Sequence, residues 1–312
     1  MTGDVTVLPE LSGRDKPGRY VCALLTADDA EEDTTSLRSP SSFRLVIVYD
    51  CRDFTACRAY SSESAAWDDQ EGKVSGARVS GRSLTRRAHA AAVVSRGAVF
   101  WRVKDAVLAL RLDGTLEATL EPLPKDWTRR YGPPGVETRV LAVSPDDGRL
   151  CVVEAGIRDQ SFSPCVEVRV VFREQSGGSG GVAASGKKWN EWASRWDILK
   201  LQRPSSDCYG SLTRVCPRGA CEKSGLVFLA AAFEATGGRN CEALYALDVG
   251  KMKARLLRGI PDPDVGSWCR FGSRASFHGY EMDRVAYITA LGKRDGKGNI
   301  NITMDEGDIY HL

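Results

Sequence analysis

The residues of this chain whose types could do chemistry are three histidines, ten cysteines and scattered carboxylates, and their spacing argues against a catalytic centre. His89, His278 and His311 stand far apart, and none falls in a metal-ligand spacing such as His-Glu-x-x-His. The chain has no Gly-x-Ser-x-Gly elbow, no phosphate loop closed by Gly-Lys-Ser/Thr and no dinucleotide fingerprint behind a strand. Gly177 to Gly181 is glycine-rich but no helix start follows it, so it reads as the tip of a hairpin. Cys216 and Cys221, with Cys208 nearby, admit two readings. They could ligate zinc, but a closed zinc site wants four ligands at close spacing and no histidine is near, so burial as small apolar side chains is the simpler one. Cys22, Cys151 and Cys165 sit among apolar residues on expected strands and are read as core thiols. Neither metal nor cofactor is expected, and the chain is read as a non-enzyme; carboxylates brought together from distant repeats at a channel mouth are the remaining route to an enzyme or small-molecule binder.

Residues suited to gripping a protein are easier to find. Lys125 to Tyr131 combines Trp127, Arg129, Arg130 and Tyr131, residue types that dominate interface hot spots. They are the expected partner-binding residues; the competing reading has Trp127 and Tyr131 covering one end of a core. Trp268-Cys269-Arg270-Phe271 is a second such segment, with a structural role expected. Trp189, Trp192 and Trp196 fall at helical spacing in Lys188 to Leu201 and could form an exposed aromatic face of a helix, yet Trp196 to Leu201 alternates as a strand does, and the stronger reading places the tryptophans between blades. Asp28 to Asp33 is read as a solvated acidic loop, with docking or phosphorylation of the following Thr34-Thr35-Ser36 as the other reading.

The elements that must position these residues repeat. A short apolar strand, a second strand, a tight turn and a third strand recur, most clearly from Gly97-Ala98-Val99-Phe100-Trp101 through Val107 to Leu112, Asp113-Gly114 and Thr115 to Leu120. Units begin near residues 43, 97, 148, 225 and 284, separated by 54, 51, 77 and 59 residues. That period of roughly 50 fits four-stranded blades of the kelch type. Within Val107 to Leu112, alternate residues face opposite sides, and Asp-Gly supplies the positive φ that a two-residue hairpin turn requires. Asp146-Asp147-Gly148 is expected to turn the chain in the same way. The fold expected is all-β, a β-propeller of about six four-stranded antiparallel blades. A flexible segment over 1–18 precedes a single domain over 19–312, with a Gly/Ser-rich insertion near 174–188. Gly307 to Leu312 is expected to pair with Arg19 to Leu24, closing the ring and removing an exposed edge.

A net charge of +2, from 43 basic and 41 acidic residues spread along the chain, gives no electrostatic case for nucleic acid. No apolar run approaches the ~18 residues of a membrane span. Residues 1–18 lack the pattern of a secretory signal, so free thiols and a cytoplasmic or nuclear location are expected.

Four segments then match a family in order. Tyr60-Ser61-Ser62-Glu63-Ser64-Ala65-Ala66-Trp67 comes first, followed by Arg96 to Trp101 with Leu108-Ala109-Leu110. Leu141 to Leu150 is third, and Trp268 with Phe277 to Asp283 is last. Together they resemble the propeller-like, F-box-associated region of plant F-box proteins, particularly of the grasses. The resemblance implies a substrate-recognition module of an SCF-type E3 ubiquitin ligase whose partner is a target protein. It departs at the front, where Leu8-Pro9-Glu10-Leu11 runs into Ser12 to Gly18, a stretch that cannot continue as the F-box helices. Direct binding of the Skp1 adaptor is therefore not expected, and an orphan or decoy interaction domain, binding such targets without delivering them, is the other reading.

Overall fold

The computed structural model describes residues 8–9, 20–26, 42–68, 72–81, 84, 92–103, 106–112, 117–124, 139–158, 165–174, 189–204, 211–221, 224–234 and 240–257. All belong to the first of two compact units, Met1–Tyr280; the second, Glu281–Leu312, lies outside the described residues. Among the described residues eighteen strands build four sheets. Sheet one holds β1 (Tyr20–Thr26), β2 (Phe43–Asp50), β3 (Thr55–Ser61), β4 (Ala66–Trp67) and β5 (Gly72–Lys73), in the order β1-β2-β3-β4 with β5 also on β3. Sheet two holds β6 (Ser75–Gly76), β7 (Val93–Ser95), β8 (Ala98–Val103), β9 (Ala106–Arg111) and β10 (Glu117–Pro122), in the order β6-β10-β9-β8-β7. Sheet three runs β11 (Arg139–Val143), β12 (Leu150–Arg158), β13 (Cys165–Arg173) and β14 (Trp189–Lys200), and sheet four β15 (Leu212–Ala220), β16 (Leu226–Glu234), β17 (Asn240–Asp248) and β18 (Lys253–Leu256). Every pairing is antiparallel except β6 on β10, which is parallel.

These sheets are the blades of a β-propeller. The middle strands, such as β9, β12 and β16, are buried on both faces, whereas β1, β10 and β18 alternate buried with exposed positions. One cluster, with Val21, Val46, Trp101 and Leu108, joins sheets one and two. A second, with Phe100, Val107, Leu141 and Val152, joins two and three, and a third, with Val168, Phe172, Leu229 and Tyr245, joins three and four. Each fully buried Val, Leu or Phe stabilises by about 1.5–3 kcal/mol, so the inter-sheet layers dominate the fold. Trp101 Nε1 also donates to the Cys22 carbonyl at 2.9 Å, tying sheet two to the first strand of sheet one.

The expectation of about six blades meets four among the described residues. The unit starts near 43, 97, 148 and 225 all fall at the second strand of a blade, namely β2, β8, β12 and β16. The fifth, near 284, and the proposed closing strand at 307–312 lie outside the described residues. Among the described residues the longest interval holds no extra blade: strands of 9, 9 and 12 residues in sheet three occupy much of it, and the expected Gly/Ser-rich insertion near 174–188 lies, apart from residue 174, outside the described residues.

The expected Asp113-Gly114 turn lies outside the described residues, and turn chemistry differs at Asp146 to Gly148. Arg96 and Gly97 both have positive φ, of 51° and 65°, as a tight two-residue turn demands. Asp146-Asp147-Gly148 instead belongs to a longer loop, in which Gly148 N–H donates to the Ser144 carbonyl at 2.9 Å and Ser144 N–H to Arg149 at 2.8 Å. The extra residues let Pro145 reach the next blade, where a Cβ on Gly225 (φ +65°) would sit 2.6 Å from the proline ring. The family-like segment from Tyr60 to Trp67 is a hairpin between β3 and β4, with the two rings in edge contact at 5.5 Å. Ser62 Oγ accepts from Phe43 N–H at 2.8 Å, which anchors that hairpin to β2.

Candidate interaction surface on sheet three

Register on sheet three sets its side chains in rows. Glu154 on β12 pairs with Arg169 on β13, and Arg169 pairs with Trp196 on β14. One step along, Gly156, Glu167 and Ile198 align; one step further, Arg158, Cys165 and Lys200 do. Direct cross-strand partners share a face, and alternate residues along a strand do too. All nine therefore lie on one side of the sheet.

The first row runs from interior to surface. Arg139 on β11 pairs with Glu154 and is buried with it. Glu154 is 0% exposed and its Oε2 accepts from Arg169 Nη1 at 3.3 Å. Arg169 in turn lies over the Trp196 ring, 5.0 Å from guanidinium carbon to centroid, a distance at which the ring face attracts a cation. The indole Nε1 donates to Ser194 Oγ at 2.8 Å. So Trp196 is held from beneath and from its edge while 49% of it remains exposed, and Ile198 beside it is 40% exposed. A large aromatic and a β-branched residue fixed in this way at a surface are what a partner's core contacts require.

The last row adds charge. Arg158 and Lys200 are both exposed, and neither makes an ion pair among the described residues. Glu167, partly buried, sits between the apolar row and the cationic one. At the outer edge, Asp197 Oδ1 accepts from Ile198 N–H at 2.7 Å, so a backbone donor that would otherwise invite another strand is already taken. A second buried carboxylate, Glu121 of sheet two, receives two hydrogen bonds from Arg173 of β13, at 3.0 and 2.6 Å, and locks the neighbouring blade against this one.

The expected partner-binding residues Trp127, Arg129, Arg130 and Tyr131 lie outside the described residues, as do Trp268 to Phe271 and the three histidines. The chain on either side is described: β10 ends at Pro122, and Arg139, which opens β11, donates to the Pro124 carbonyl at 3.5 Å. Of the tryptophans expected between layers, Trp189 is buried in the core joining sheets two and three. Trp196 is not, because β14 is the outermost strand of its blade; sheet two packs on the same face through Val152, Val171 and Trp189 but leaves Trp196 49% exposed. Trp192's side chain lies outside the description. The segment is a strand, as its alternation indicated.

The cysteines divide similarly. Cys151 and Cys165 are buried, but Cys22 is exposed because Val21, Ala23 and Leu25 take the inward positions of β1. Burial pushes the Cys57 and Cys151 thiols up to about 12, which leaves them protonated and unreactive at neutral pH. Cys216 and Cys221 are buried, and no group of three His, Cys, Asp or Glu suited to a metal occurs among the described residues. No family model matches the sequence, and no curated protein matches it. The surface on sheet three must therefore be read from its own chemistry.

Proposed function

We propose that this chain is a protein-binding β-propeller that selects a target for a ubiquitin ligase. The observation that carries the binding half is Trp196, half-exposed and held in place by the buried Glu154–Arg169 pair. Propellers present recognition surfaces on a rigid frame, and an immobilised aromatic loses little entropy when a partner covers it. The ligase half is supported by the ordered resemblance to F-box-associated propellers.

Affinity purification of the whole chain, quantified by mass spectrometry beside a Trp196→Ala, Ile198→Ser variant, tests the reading. The expected result is a small set of proteins depleted about tenfold in the variant, whose ubiquitination falls when the chain is removed from cells. An identical set of captured proteins with both forms would overturn the surface assignment. Depleted partners whose ubiquitination and lifetime do not change would overturn the ligase role alone.

A further inference from the structure

The chemistry of the surface narrows what it binds. Trp196 and Ile198 offer apolar contact two residues apart on β14, and Lys200 stands two residues beyond. With about 3.3 Å per residue in a strand, the span from Trp196 to Lys200 is about 13 Å. Arg158 lies in Lys200's row two strands over, about 10 Å away at ordinary strand spacing. Two exposed cations facing across the buried Cys165, with no ion pair among the described residues, leave positive potential at one end of an apolar strip. Glu167 in the middle row disfavours a carboxylate there and confines the attraction to the far row. The Asp197 carboxylate already holds the Ile198 N–H, so contact runs through side chains instead of an added strand.

We propose that this surface takes an extended acidic-apolar segment of a partner protein, with apolar side chains seated on Trp196 and Ile198 and a carboxylate, four residues from the first of them, bridging Arg158 and Lys200. The inference rests on the reading of this face as the recognition surface and adds the ligand's pattern and charge.

The test pans the immobilised whole chain against a displayed library of random twelve-residue peptides, followed by fluorescence anisotropy with resynthesised winners. The winners should carry Asp or Glu four residues from an aromatic or aliphatic residue. Their affinity should fall about tenfold in Arg158→Glu, Lys200→Glu and weaken with salt. A peptide with Lys at the acidic position should bind that charge-reversed variant better than it binds the wild type, a gain that misfolding cannot produce. Winners that lose binding in Trp196→Ala but are indifferent to charge reversal would overturn the acidic pattern and leave the face as a recognition surface. No enrichment, or winners insensitive to Trp196→Ala, would overturn both.

Discussion

Glu154 has no access to water and is held by Arg169, itself nearly buried, so each charge depends on the other. Removing one partner leaves the other buried and uncompensated, which costs about 3–5 kcal/mol, whereas replacing both by apolar residues of like volume is often neutral. Glu154→Ala should accordingly lower the urea midpoint far more than an Arg139→Met, Glu154→Leu, Arg169→Met triple variant does, since the triple variant leaves no member of the row charged. Trp196→Ala, by contrast, removes a ring that solvent already reaches. Its cost should be about 1 kcal/mol or less, so binding lost in that variant is not unfolding. The thiols set the alkaline limit. Cys57 and Cys151 titrate at about 12 in the fold, above their unfolded value near about 8.5. A pKa raised on folding gives stability that is fully present below the unfolded value and lost as pH rises through the folded one. Stability should therefore decline from about pH 8.5 towards 12, less steeply in a Cys57→Ala, Cys151→Ala variant followed by chemical unfolding. At the acid end, burial acts to raise Asp147 and Asp248 but is outweighed. Ser144 and Arg149 for the first, and Lys251 and Gly250 for the second, hold these carboxyls below their ordinary value.

At the scale of elements, the turns join one blade to the next. Gly225 and Gly148 share a φ of +65°, but a Cβ on Gly225 would strike Pro145 at 2.6 Å while one on Gly148 meets nothing within 4 Å. Gly148→Ala should cost about 1–2 kcal/mol, the strain of the left-handed conformation alone. Gly225→Ala should cost measurably more, because the blade-to-blade contact must also open; denaturant melts of the two variants decide it. Strand alternation made most of these elements legible: four second strands were marked by apolar runs, and Trp196 to Leu201 by its period. What alternation does not tell is which side of an outer strand is covered. Apolar neighbours place Cys22 and Trp196 inward, yet both are exposed: Cys22 lies on the face of β1 opposite Val21, Ala23 and Leu25, and Trp196 on an outermost strand that sheet two does not fully cover. The buried Arg–Glu–Arg row was illegible for a related reason. Arg139, Glu154 and Arg169 are distant in sequence and meet only through the register of β11, β12 and β13.

For the whole molecule, the core clusters span adjacent blades, so no described sheet keeps its interior when its neighbour is removed. Trp101 in sheet two and Trp189 in sheet three should report one coincident unfolding transition, as cooperative units do. Two transitions, followed in single-tryptophan variants, would show that the blades melt separately. The propeller class was readable from the period of the repeats. Blade number was not: four blades stand among the described residues against about six expected, and the unit near 284 and the closing strand at 307–312 that made up the difference lie outside them. The bond between Asp197 and the Ile198 amide bears on how these molecules behave in a crowd. A row of vacant donors along an outermost strand lets one molecule stitch onto another, and here a side chain from the strand itself stops one of those stitches. In Asp197→Ala that restraint is gone, and light scattering at rising concentration should detect growing oligomers where the parent stays dispersed.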